Sequence, residues 1–234
     1  MDRPDAVAML SAAKQAHRRT RSARQGFWFP LVLFGAIVLL AAPLYRAPAG
    51  GGDLFYRSVP ALFPRPLAPI SYFAGGYFLR SPQAVSLFWL ISLPLGYVGT
   101  VIYYRLRARR RGIASPVRSY VLAGMALLAF LLLISWFGPA LPGHLGDLFV
   151  RGLTPLLTIA AGLFVLAWAE RSVSLAIFSL GFFALALGAT LYDYANAFAR
   201  IGVGVPEAAI NVLIPGIVLV AAGAGFWAAR GRAG

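Results

Sequence analysis

Along this chain the charged positions sit at the edges of long apolar blocks and do not alternate with apolar ones. Six blocks of membrane-crossing length contain no Asp, Glu, Lys or Arg. They lie between Arg24 and Arg46, Arg80 and Arg105, Arg118 and Asp147, Arg151 and Glu170, Arg171 and Asp193, and Glu207 and Arg230. A membrane helix needs roughly 17 to 25 mainly apolar residues, so the pattern predicts spans near 27–45, 83–104, 119–138, 152–169, 173–193 and 208–229. Hydrocarbon offers no water to backbone N–H and C=O groups, so such blocks become helices. No block alternates apolar and polar residues, which sets aside a β-barrel. The expected fold class is all-α: a polytopic membrane bundle of about six transmembrane helices.

The first block also carries features of a signal peptide, with Arg18 and Arg19 before an apolar stretch and small residues after it. The 26-residue leader is too long for one, and HRRTRSA lacks the apolar residues that follow a twin-arginine signal. Cleavage there would leave five spans. The expected organisation is a cytoplasmic basic leader over 1–26, a transmembrane domain over 27–230 with an outer insertion at 46–82, and a short tail over 231–234.

Composition agrees with the pattern. Of 234 residues, 60% are hydrophobic and 12% charged, against about 25% charged in soluble domains. Cysteine is absent, which removes disulfides, thiolate metal sites and cysteine nucleophiles. His17 and His144 are the two histidines, too few for a histidine-rich metal site. No metal or cofactor is expected.

Charge orients the bundle. With six spans, one side holds the leader, residues 105–118, the Glu170-Arg171 turn and the tail, with 15 basic residues against three acids; the other holds six against four. Arginine excess marks the cytoplasmic side, so both termini are expected there. The stretch YYRLRARRRG is then a topology signal built on Arg105, Arg107, Arg109, Arg110 and Arg111. Each arginine near an anionic headgroup layer contributes about 1 kcal/mol of attraction. About 14 residues between two spans present no folded reading head for nucleic acid.

Outside the spans, residues 4–24 read as a helix with a weak apolar stripe (Val7, Leu10, Ala13, Ala16) and basic residues toward its C-terminal end. Such a helix lies on a membrane or docks a cytoplasmic partner. The outer segment is rich in proline and aromatics, and its uncharged run 66–79 is too short to span. It reads as an aromatic lid in the headgroup layer or a cap over an outer cavity.

Candidate chemistry is sparse. No carboxylate, arginine or histidine falls near the middle of a span, where ion-coupled carriers keep one. Glu170 and Asp193 lie at opposite ends of the fifth span, about 35 Å apart by helical rise, so they share no substrate bond. The remaining polar residues of the outer end are His144, Asp147, Arg151, Asp193, Tyr194, Asn196, Arg200, Glu207 and Asn211. They line an outward-facing polar pocket or form an interfacial belt. Glu170-Arg171 reads as the tip of a tight helical hairpin, and Pro94 and Pro215 as kink positions. Small residues at Gly181, Ala184 and Gly188, and at Ala221, Gly225 and Ala229, predict close internal helix packing.

Stretches such as FWLISLPLGYVGTVIYYRLRARRRG and RGLTPLLTIAAGLFVLAWAERS resemble uncharacterised multi-pass integral membrane proteins of high-GC Gram-positive bacteria, which implies a bacterial plasma-membrane location. The plan of six spans, interfacial leader and basic loop is similar to the permease subunits of ABC-2-type exporters. In those the large outer insertion lies between spans five and six, whereas here it lies between one and two. The first functional expectation is a non-enzymatic membrane subunit associated with transport or export, paired with an ATPase or regulator. The alternatives are an intramembrane enzyme acting on a lipid or isoprenoid, with Asp193 or Glu207 as acid, and a sensor or scaffold that signals through its leader.

Overall fold

A computed structural model describes residues 26–45, 81–111, 153–192 and 207–231, with isolated positions at 79, 121, 124, 125, 129, 194, 198, 200 and 202. The leader, most of the outer insertion and most of the third expected span lie outside the described residues. Among the described residues every element is helical: α1 (Trp28–Ala41), continued by a 3-10 turn (Ala42–Leu44), α2 (Pro82–Arg111), α3 (Thr154–Glu170), α4 (Val173–Tyr192) and α5 (Glu207–Gly231).

Three helices are long and apolar enough to cross a membrane, over Ala84–Arg110, Val173–Tyr192 and Ala209–Ala229; Trp28–Leu44 and Thr154–Glu170 are shorter apolar helices. Their outward positions carry Leu40, Ile91, Leu95, Ile177, Leu180 and Ile217, each more than half exposed. Apolar exposure on that scale belongs to a surface that meets lipid. The chain is an integral membrane protein.

Two expectations need correction. The 105–118 stretch was expected as a loop from its first residue, but α2 runs on to Arg111. Arginine is a good helix former and nothing in RLRARRR breaks the helix, so the charged stretch extends it. At 30 residues, α2 is about 45 Å long, well beyond a hydrocarbon core of about 30 Å.

The second concerns the small residues. Gly181 and Gly225 have open space where a side chain would be, and Ala184, Ala221 and Ala229 are exposed. Gly188 does lie close to a neighbour, the Tyr194 hydroxyl, and the other close contacts are made by glycines outside the two stripes. Gly35 of α1 lies against the Val220 backbone, while Gly216 and Gly223 of α5 lie against Leu39 and against Val32 with the Trp28 carbonyl. These contacts run in opposite directions along the two chains, so α1 and α5 are antiparallel. Leu31, Val38, Val212 and Leu219 are buried along the same seam.

The expected hairpin is present. Arg171 takes a left-handed conformation (φ 51°), and its N–H reaches the carbonyls of Ala167 and Trp168. Ser172 adds a bond to Ala167, completing the helix-ending motif, and its hydroxyl accepts from the Leu175 N–H at 3.3 Å, capping α4. Both internal prolines are carried inside continuous helices. Buried hydroxyls bond one turn back within their own helices, as Thr100 does to Gly96 (2.9 Å), Ser179 to Leu175 (2.7 Å) and Thr190 to Ala186 (2.8 Å).

The α1–α5 seam gives a prediction. Gly35→Ala places a methyl 2.9 Å from the Val220 backbone nitrogen, which cannot swing aside, and should destabilise the protein by about 1–3 kcal/mol. Gly225→Ala meets open space and should be neutral or slightly stabilising. Thermal unfolding in mild detergent distinguishes the two.

Candidate functional site

Of the nine outer polar residues, His144, Asp147, Arg151, Asp193 and Asn196 lie outside the described residues. Glu207 opens α5, with only its backbone described, and Arg200 is exposed. Tyr194 and Asn211 are brought together: the Tyr194 N–H donates to Asn211 Oδ1 at 2.8 Å. The Tyr194 hydroxyl donates to the Leu185 carbonyl at 2.8 Å. Asn211 is buried, so this pair fastens the end of α4 to the start of α5.

A second outer fastening went unnoticed in the sequence. Trp89 is fully buried, and its indole N–H donates to the hydroxyl of Tyr45 at 2.9 Å. This ties the end of α1 to α2.

Between the ends the interior is apolar. A cavity of about 40 Å³ is lined by Pro30, Phe34, Leu93, Tyr97, Thr158 and Leu163, among others. Its two hydroxyls are turned to backbone carbonyls, Tyr97 to Val121 (3.2 Å) and Thr158 to Thr154 (3.0 Å). The space suffices for a few small molecules at most.

The end of the bundle that holds the start of α1 and the end of α2 is richer. The side chain of Arg107 fills the space beside Gly26, and its Nη1 donates to the Tyr103 hydroxyl at 3.3 Å. Tyr103 stacks on Phe29 (centroids 4.3 Å apart, 16° between planes) and meets Trp28 edge-on. Phe27 packs edge-on against Phe226 of α5 at 4.7 Å. The Tyr104 hydroxyl donates to Oε1 of Glu170. The start of α1, the end of α2, the α3–α4 turn and the end of α5 therefore gather at one end of the bundle.

Glu170 stands just past the apolar run of α3, outside the membrane-spanning stretch. Its Oε2 is shielded and takes no hydrogen bond among the described residues. Burial pushes its carboxyl up to about 7, against the opposing effects of the Tyr104 hydrogen bond, the Arg107 charge and a Gly26 backbone hydrogen bond. Sequence reading placed Glu170 at a hairpin tip and missed this surrounding. A signal was present: Tyr104 and Arg107 are three apart on one helix face, and Glu170 is the one acid that the expected inner side holds outside the leader.

The arginines of α2 divide by face. Leu87, Ile91, Leu95, Val98 and Ile102 form an outward stripe that continues into Arg105 and Arg109, with Arg110 beside them, all exposed. Arg107 is half-buried and turned into the bundle. Arg111 closes the helix. Among the described residues no group of three or more metal-ligating side chains occurs.

No family model, curated protein or solved structure matches this chain.

The outer fastening is testable. Tyr45→Phe leaves the buried Trp89 N–H without its hydroxyl acceptor and should lower stability by about 1–3 kcal/mol. Tyr45→Phe combined with Trp89→Phe should lose less than the sum of the single changes, as a double-mutant cycle of thermal unfolding would show.

Proposed function

We propose that the chain is a non-enzymatic membrane subunit associated with transport or export, crossing a bacterial plasma membrane six times with both ends in the cytoplasm. One observation carries the reading: the polar side chains that the described helices bring together join helix to helix. Trp89 is engaged with Tyr45, Asn211 with Tyr194, and Glu170 with Tyr104, beside an apolar cavity of about 40 Å³ among the described residues. Such an arrangement supports a rigid transmembrane part whose energy comes from a partner, an ATPase or a regulator. Arg105 and Arg109, on the continuation of the outward stripe, fit a place among anionic headgroups that would hold this end on the inner face.

Two experiments test it. Reporter fusions after Arg111 and after Gly52 should report cytoplasmic and external positions respectively, and the reverse result defeats the threading. Purification in mild detergent should recover an ATPase or another stable partner with the chain; repeated recovery of the chain alone defeats the subunit reading.

A second reading, a sensor or scaffold acting through its leader, is favoured by Gly26. The leader enters the bundle at this residue, against Arg107 and Glu170. Deleting residues 2–22 while insertion is retained should abolish output under this reading, and unchanged output excludes it.

A further inference from the structure

The Glu170 cluster has a property that neither reading requires. Glu170 belongs to the α3–α4 turn, yet the groups that grip it come from elsewhere: the Tyr104 hydroxyl and Arg107 from α2, and the Gly26 backbone from the lead into α1. Arg171, its neighbour in the turn, is exposed. One carboxylate oxygen, Oε1, thus accepts from Tyr104 while the other, Oε2, is shut from solvent with no hydrogen-bond partner among the described residues. An ionised carboxylate carries its charge on both oxygens, and a shielded oxygen without a donor is a poor place for it. The protonated acid has no such difficulty, because its O–H needs an acceptor far less than the anion needs donors.

We propose that Glu170 is a proton-binding site. Its carboxyl takes up a proton at Oε2 while the cluster is closed and gives it up when the cluster opens to water. The α3–α4 turn is clasped to α1 and α2, or freed from them, according to the pH on that side of the membrane.

The direction follows from linkage. The carboxyl holds its proton to about pH 7 in the closed cluster and to about pH 4.3 in water. Between those values the closed form binds more protons than the open one, so raising the pH through that window weakens the clasp. Above about 7 the closed form must hold an anion, and opening is favoured most. Tyr104, Arg107 and the Gly26 N–H oppose this by stabilising the anion in place, which sets the site near neutrality instead of far above it. Tyr104 is a positioning residue here, acting on the proton affinity of Glu170.

The absence of cysteine allows a direct test in the full chain. Leu106→Cys on α2 and Val173→Cys on α4 are both at exposed positions and can carry a pair of spin labels in lipid nanodiscs. The distance between labels should change reversibly between about pH 4 and pH 8, with a midpoint between about 4.3 and about 7. Glu170→Gln keeps the shape and removes the titration, so the acidic distance should persist throughout. Tyr104→Phe removes a donor to the closed anion, which weakens the clasp at high pH, so the midpoint should stay in place or fall. Glu170→Gln also separates any contribution from His17 and His144. A distance that does not change with pH, or a transition that survives Glu170→Gln, overturns the proposal. A Tyr104→Phe midpoint that rises overturns it as well, even where Glu170→Gln does not fold.

Discussion

In hydrocarbon, a backbone amide or carbonyl has no water to bond, and the whole arrangement follows from that constraint. It forces each apolar block into a helix, and it leaves the buried hydroxyls of Thr100, Ser179 and Thr190 to bond back along their own helices. It also pushes the demanding polar pairs to the two ends, where Tyr45 meets Trp89 at one and Tyr104 meets Glu170 at the other. The middle is left mainly to packing, with the Tyr97 hydroxyl reaching the Val121 carbonyl. There Gly35, Gly216 and Gly223 let α1 and α5 approach until backbone and methyl groups touch. In lipid, where apolar contact carries no hydrophobic gain, dispersion at such short range is what holds helices together.

The positions of the helices were legible in the sequence for the same reason. Charged residues are excluded from the hydrocarbon, so Arg24 and Arg46, or Arg171 and Asp193, bracket a helix as clearly as caps would. The ends of α1, α3, α4 and α5 fall within a few residues of the expected bounds. The end of α2 does not, because charge ends a span without ending a helix. Arg105 to Arg111 leave the membrane but stay helical.

Helix faces were not legible. In a soluble protein the outward face is polar and identifies itself. Here lipid and core are equally apolar, and Gly225, which is open, cannot be told from Gly223, which is packed, by anything in their immediate neighbourhood. The same ambiguity hid the Glu170 cluster. Arg107 stands among arginines that all read as topology signals, and only the rotation of α2 shows that Arg107 turns inward while Arg105 and Arg109 turn out. Of the expected outer pocket, Tyr194 and Asn211 do meet. Their adjacency depends on how α5 packs back against α4, which sequence spacing does not specify.

Arg171 occupies a backbone conformation that glycine would adopt freely (φ 51°), and a non-glycine residue gives up about 1 kcal/mol there. The bulky cation is therefore a local disadvantage to the fold. The membrane sets a second condition: an arginine at the centre of a bilayer costs about 2.5–3.5 kcal/mol on insertion scales. A paired insertion of α3 and α4 led by this tip is penalised, while entry that leaves the tip behind is not. The least comfortable residue of the turn is thus also the one that hydrocarbon admits least readily, which favours a resting place for the tip at the membrane surface.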